Sequence, residues 1–243
     1  MSKSHENDSL GSRMKGYETV NKDLIMRRTP TIIRIDGKAF HTFTKKAKFD
    51  FPFSVQFHEM MRDTAIDLVS EIQCAQIAYF QSDEISILLN DWRNIYTEQW
   101  FRGNIQKMTS VSASIATASF NSKFIKSRNP DFLETFRSFA MFDSRVFQLP
   151  EHEVNNYFIW RQQDASRNSV QMLGRSHFSH KELDRKSNGK VQEMLFEEHG
   201  VNWNDLESWK RRGSCVTRYG HDDDIPLFTQ DRNYIPRYLG ANE

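Results

Sequence analysis

Two short acidic stretches carry the residue types that could do chemistry. In Thr31 to Phe43 (TIIRIDGKAFHTF), Asp36 and Gly37 follow Ile32, Ile33 and Ile35, a β-branched run of strand length. Asp36 stops that strand, and Gly37 permits a tight turn whose backbone a ligand can approach closely. Gln81-Ser82-Asp83-Glu84 is a second acidic stretch, also at a strand end. A single Asp-Gly pair is ordinarily only a turn, but two carboxylates converging at one sheet edge can hold divalent cations. Hard cations such as Mg²⁺ take oxygen ligands and keep some waters, leaving room for phosphate oxygens. Two such ions roughly 3.5–4 Å apart stabilise the attacking and leaving oxygens of an in-line phosphoryl transfer. Lys38 and His41, just past Asp36, are placed to reach a nucleotide, and Lys107 could meet a triphosphate. Glu84 alternates away from Asp83 in regular strand, so either a turn holds it near the metals or it supports them from behind.

The elements that must position these residues follow from apolar spacing. After the first strand and a basic cluster (Lys45, Lys46, Lys48), Phe57, Met61, Ala65, Leu68 and Ile72 make a helical stripe over Ser54 to Ile72. Strands follow at Ile77 to Phe80 and Ile85 to Leu89. The spacing then predicts a second helix whose apolar face is Phe101, Ile105, Met108, Val111, Ile115 and Ala118, and a fourth strand, Ser144 to Leu149. Strand, helix, strand, strand, helix, strand is the split βαβ or ferredoxin-like plan, an α+β fold with an antiparallel sheet and its helices on one face. In its usual order the third strand lies antiparallel beside the first, so Asp36 and Asp83 meet. Residues 1–29 read as an N-terminal arm, 30–150 as the catalytic core and 151–243 as a helical and basic extension. The segment Asp8 to Glu18 reads from composition as a surface arm, and residues 1–7 as disordered. In the extension, Val154 to Leu173 and Val191 to His199 are helical, the latter ended by Gly200. Asp222 to Asp224 reads as a solvated surface.

The chain has 243 residues, with 19 Phe, 7 Tyr and 5 Trp, enough bulky apolar material for a sizeable core. A formal net charge of +1 leaves no whole-chain basic field, so nucleic acid would have to be met by local Lys and Arg clusters. Cys74 and Cys215 lack metal-ligand spacing and read as reduced thiols, the opening MSKSHENDSL lacks the apolar core of a signal peptide, and no apolar run approaches membrane-spanning length. A cytoplasmic protein without membrane contact is expected. His177 and His180 have helical spacing but no evident third ligand for zinc.

RIDGKAFHTFTK (Arg34 to Lys45), YFQSDEISILL (Tyr79 to Leu89), KMTSVSASIATASF (Lys107 to Phe120), FDSRVFQLP (Phe142 to Pro150) and WRQQDASRN (Trp160 to Asn168) occur in this order. Together they resemble the tRNA-His guanylyltransferase superfamily, particularly its bacterial and archaeal Thg1-like branch. The opening DSLGSRMKGYE also resembles that family's, with Ser12 in place of a second Asp. The resemblance implies a polymerase-like palm domain that adds nucleotides to the 5′ end of tRNA, the reverse of ordinary polymerase direction. It implies that Asp36, the Gly37 carbonyl and Asp83 hold two Mg²⁺ ions with Glu84 in support. Asp36, Gly37, Lys38, Ala39, Phe40, His41, Ser82 and Asp83 would contact ATP, GTP or another nucleoside triphosphate. The 5′ end is first activated by ATP or GTP, and the incoming nucleotide's 3′-hydroxyl then attacks it. A homotetramer is the family's tendency.

Departures refine the expected activity. Ser166-Arg167-Asn168-Ser169 stands where eukaryotic guanylyltransferases carry a His-Ile-Asn-Asn type sequence, and Phe51-Pro52-Phe53-Ser54 replaces a Lys-Pro-Asn-Asp stretch. Both favour template-dependent repair of 5′-truncated tRNA over addition of an extra guanosine to tRNA-His, which remains the alternative. A palm-domain nucleotide cyclase and a catalytically silent RNA-binding palm are more distant alternatives. Arg161, Arg167, Lys190, Arg211 and Arg212 are the candidates for tRNA backbone contact, on charge and locality.

Overall fold

The computed structural model describes residues 9–20, 22–93 and 95–240. The disorder expected for residues 1–7, and Asp8 of the opening motif, lie outside these. Along the chain come α1 (Ser9–Thr19), β1 (Thr31–Gly37), α2 (Phe40–Lys46), α3 (Val55–Glu71), β2 (Ala75–Gln81) and β3 (Glu84–Leu89). They are followed by α4 (Ile105–Lys126), α5 (Pro130–Thr135), β4 (Phe142–Gln148) and α6 (Glu151–His177). The chain closes with α7 (His180–Leu183), α8 (Asn188–His199), α9 (Ser208–Arg212), β5 (Ser214–Thr217) and β6 (Gly220–Asp222). The segment expected to be a surface arm is exposed and forms the helix α1, despite two glycines.

One antiparallel sheet runs β4-β1-β3-β2-β5-β6. Its first four strands have the ferredoxin-like order, and β1 pairs with β3 in the register Ile35↔Ile85, Asp36↔Glu84. The sheet is covered on both faces. Ile33, Ile35, Ile85 and Ile87 pack with α3 and α4, whereas Ile32, Ile77, Tyr79 and Leu88 pack with Val154, Tyr157 and Phe158 of α6. Hence every residue of β3 is buried, including Glu84 and Ser86, which alternate with Ile85 and Ile87. The phenylalanines gather on the first face, where Phe40 meets Phe43, Phe57, Phe120 and Phe142 with ring centroids 4.8–6.0 Å apart.

Two local expectations change. The buried stripe of α4 is Met108, Ser112, Ala116, Phe120 and Phe124, while Ala118 is exposed and Phe101 precedes the helix in a 3-10 turn. Small residues let the helix approach the sheet closely, where the Ser112 and Ser144 hydroxyls hydrogen-bond at 2.7 Å. A face whose polar groups are satisfied in this way is invisible to apolar periodicity. The C-terminal extension likewise adds strands as well as helices, for β5 lengthens the sheet at β2. Gly213 allows the entry into β5: its φ is +79°, and a Cβ there would lie 2.6 Å from the Phe80 carbonyl oxygen. The acidic run anchors this extension. The Tyr234 hydroxyl donates to Asp222 at 2.9 Å, Asp223 meets His58 at 3.2 Å, and Asp224 accepts from Ser208.

Candidate active site

The site forms where β1 ends and β3 begins. Asp36 sits at the end of β1, between Glu84 of β3 and Asp143 of β4 in register. The two-residue turn Ser82-Asp83 closes the β2–β3 hairpin beside it, with Ser82 at φ 47°. The Gly37 N–H donates to the Asp83 carbonyl at 3.1 Å and the Lys38 N–H to the Met141 carbonyl at 2.8 Å, which pins both acidic segments together. Gly37 is required by packing. A Cβ there would fall 2.3 Å from the Phe40 ring, which lies beneath the turn at 3% exposure. Phe40 is therefore core, and only its backbone faces the site. Lys38, Ala39 and His41 are exposed around it.

The carboxylates differ in their surroundings. Burial, and then the nearby charge of Asp36, push the Asp83 carboxyl up to about 6, against hydrogen bonds that include the Ser82 hydroxyl at 3.2 Å. Asp36 has guanidinium nitrogens of Arg34 and Arg145 at 3.9 Å. Glu84 is 5% exposed and fully engaged by protein. Arg161 clamps it through Nε at 2.6 Å and an η nitrogen at 2.7 Å, and Arg34 adds a bond of 2.7 Å. Glu84, expected among the catalytic carboxylates, thus holds two arginines on the α6 side of the sheet. Period-2 alternation places it there with Ser86, whose hydroxyl bonds Tyr157 at 2.8 Å.

Asp36 and Asp83, with the Gly37 carbonyl, are the groups that could hold Mg²⁺. Among the described residues no three His, Cys, Asp or Glu side chains converge as a closed cage. That suits Mg²⁺, which is commonly held by one or two carboxylates plus water and substrate phosphate. A half-buried carboxylate whose proton affinity is raised by a like neighbour is also what a divalent cation relieves.

Other expected residues are dispersed. Lys107 is exposed at the start of α4, at the wrong end of the sheet. Its neighbour Met108 lines a small cavity with Thr31, Cys74 and Leu89. Thr31 is five residues up β1 from Asp36, ~17 Å at strand rise. Arg161 is 3% exposed and also pairs with Asp164 at 2.9 Å, so it is no surface cation. Arg212 is turned inward onto Ser208 and Asp224. Arg211 packs over Trp203 at 5.8 Å. Arg167 and Lys190 are exposed, paired with Asp164 at 2.9 Å and Glu193 at 2.7 Å. Arg34, Arg145 and Asp143 were not singled out from the sequence. Their signal is positional: Arg34, two residues before Asp36, shares its face, and Asp143 and Arg145 lie early in the strand that pairs with it.

The departures have structural roles. Ser54 caps α3, accepting from the Phe57 N–H at 3.2 Å. Ser169 is buried, donating to the Lys210 carbonyl at 2.6 Å and accepting from the Trp203 indole at 2.9 Å.

Compared with known proteins, residues 11–150 match the profile of the family Thg1, tRNAHis guanylyltransferase. A bacterial tRNA(His) guanylyltransferase (Thg1)-like protein in complex with ATP superposes with a TM-score of 0.88 at 40% identity, over 96% of this chain and 100% of that one. A corresponding structure in complex with GTP gives 0.81 at 38%, over 96% and 99%. The tRNA(His) guanylyltransferase of Saccharomyces cerevisiae is 28% identical over 229 residues, 89% of this chain and 93% of its own.

Proposed function

From the premise that the chain belongs to the Thg1 family of tRNA-His guanylyltransferases, and so to the nucleotidyltransferases, we propose that it repairs 5′-truncated tRNA. In this reading it adds nucleotides in the 3′-to-5′ direction against the pairing base opposite. The observation that carries the site is the convergence of Asp36 and Asp83, held together by the Gly37–Asp83 backbone hydrogen bond.

Asp36, Asp83 and the Gly37 carbonyl are the ligands for two Mg²⁺ ions, which when bound neutralise phosphate charge and polarise the bonds that form and break. The protein's own residues position. Lys38, His41 and Ser82 contact the triphosphate, as does the backbone of Ala39 and Phe40. ATP or GTP, the ligands of the two similar bacterial proteins, activates a 5′-monophosphate end by transferring its nucleotidyl group to that phosphate with release of pyrophosphate. The 3′-hydroxyl of the incoming nucleotide then attacks the 5′ phosphorus of the tRNA, and AMP or GMP leaves. Arg34 and Arg145, beside Asp36, are cationic groups for the phosphates that arrive there. Glu84 is a positioning residue: by fixing Arg34 and Arg161 it holds the start of β3 and thereby Asp83.

Arg167, Lys190 and Arg211 remain the candidates in the extension for tRNA phosphate contact, and binding through them weakens steeply with salt. Assembly as a homotetramer is part of this reading, supported by Leu10, Met14 and Tyr17, which are exposed at helical spacing on α1. A cytoplasmic setting fits two buried, unpaired thiols, and no helix among the described residues is long and apolar enough to cross a membrane.

The test is a 5′-end extension assay with Mg²⁺ and all four nucleotides, comparing full-length tRNA-His with a transcript lacking its first nucleotide. Template-matched extension of the truncated form is expected. Preferential guanosine addition to the full-length form would instead establish tRNA-His guanylylation.

A further inference from the structure

At the end of the sheet opposite the acidic pair, a cavity of about 430 Å³ opens where β2 begins and β3 finishes. Arg93, Arg218 and Arg237 line it, with Gln76, Asn90 and Tyr219 among its other walls, and no carboxylate does. All three arginines are exposed, and among the described residues none of them makes an ion pair. By contrast, Arg34, Arg145 and Arg161, near the acidic pair, all have acidic partners. Arg237 is held in place by its own packing, with its guanidinium 4.1 Å from the Tyr234 ring and 5.1 Å from that of Tyr238. Tyr219, at the tip of the β5–β6 hairpin, is 90% exposed.

We propose that this cavity is a second nucleotide-phosphate site, which holds the backbone of the tRNA substrate away from its reacting end. Guanidinium forks match phosphate oxygens in geometry as well as charge. An aromatic ring displayed beside them offers a stacking platform for an unpaired base. Asn90 lies six residues along the chain from Glu84, ~20 Å at strand rise, so a nucleotide here is a different one from that at Asp36 and Asp83. A free nucleoside triphosphate has the same phosphate chemistry. It normally travels with Mg²⁺, however, and the cavity lining has no carboxylate to share in holding that ion. An RNA backbone needs only the cations. The inference rests on tRNA being the polymer substrate, not on which nucleotide is added.

The full-length protein carrying Arg218→Glu or Tyr219→Ala tests this. Both side chains are exposed, and melting curves verify the fold. Binding of a 5′-monophosphorylated tRNA-His transcript is titrated by fluorescence anisotropy at several salt concentrations, and ATP binding is measured separately. Arg218→Glu is expected to raise the Kd for tRNA about tenfold and to shallow the salt slope by about one phosphate contact. Tyr219→Ala raises it about fivefold or more with the slope unchanged. In both, kcat at saturating tRNA and the affinity for ATP stay at wild-type values. Unchanged tRNA affinity in both variants overturns the proposal. Loss of ATP binding with intact tRNA affinity also overturns it, assigning the cavity to a free triphosphate. An Asp36→Asn control that binds tRNA normally but adds no nucleotide keeps this outcome separate from the fate of the catalytic reading.

Discussion

The carboxylates of Asp36, Asp83 and Glu84 are brought to one end of the sheet by the pairing of β1 with β3, and their environments give them different work. Asp36 and Asp83 keep oxygens available, whereas both oxygens of Glu84 are occupied by guanidinium groups. Asp36→Asn and Asp83→Asn are therefore expected to lower nucleotide addition by ~10³-fold or more, while circular dichroism and Tm show an intact fold. Retained turnover in either variant would remove it from the site. Glu84→Gln should act through stability. It leaves the buried Arg161 with Asp164 alone as counter-charge, a loss of about 3 kcal/mol, the low end for a broken buried pair, read as a fall of roughly 10 °C in Tm for a chain of this size. Replacing both partners, Glu84→Leu with Arg161→Met, should recover much of that loss, and a double-mutant cycle measures the coupling. Wherever activity survives, its Mg²⁺ dependence should match wild type, which a metal ligand's removal would not allow. The sequence motifs point to Asp36 and Asp83 because a carboxylate at a strand end has few other uses. They cannot reveal that Arg161 is buried, since an arginine in a polar helical stretch reads the same whether its partner is tRNA phosphate or a carboxylate on the strand beneath.

Elements show the same division between what is local and what is tertiary. Strand runs, the helical stripe of α3 and the Gly200 stop are local signals that place those elements, whereas α8 begins at Asn188, capped by Ser187, three residues before the expected Val191. The face of α4 and the position of Lys107 are tertiary, for they depend on which way the helix lies across the sheet. The docking of α9 against α3 is equally silent in sequence. It is made by the His58 ring, stacked 4.2 Å from Trp209 and 5.2 Å from Phe80, with Asp223 at 3.2 Å. Burial lowers the His58 pKa below 6.5, although Asp223 pulls the other way. The unfolded chain then binds the proton more readily, so this group's contribution is present above about pH 6.5 and lost as pH falls below it. His58→Phe should keep the stack and remove the titration. Thermal melts between about pH 7.5 and 5 should show wild type losing more Tm than the variant. Equal losses would mean that His58 titrates as freely as in the unfolded chain.

For the whole molecule, the division at residue 150 read from sequence follows the end of the fourth strand, and the matched family profile also ends there. Packing does not stop at that point. The second face of the sheet is closed by α6 together with Ile225, Phe228, Ile235 and Leu239, each at most 5% exposed, and the β2 edge is closed by β5. None of this has a period that sequence reading can use, because the segment from 223 to 240 is largely turns and its apolar residues meet the sheet singly. Those four side chains and Val216 together contribute on the order of 10 kcal/mol of burial, comparable with the ~5–15 kcal/mol net stability of a typical protein. A chain stopped after Gly213 should therefore lose cooperative folding, despite retaining every residue of the acidic site. Residues 30–150 alone, without α6, should fare worse, since Ile32, Ile77 and Leu88 would face water and the β2 edge would be open to pairing with other chains. Broad melting, dye binding to exposed apolar surface and early-eluting aggregate on size exclusion are the expected results. A sharp transition and a monomeric peak for residues 30–150 would show that the palm is autonomous and that the extension is added to a finished fold.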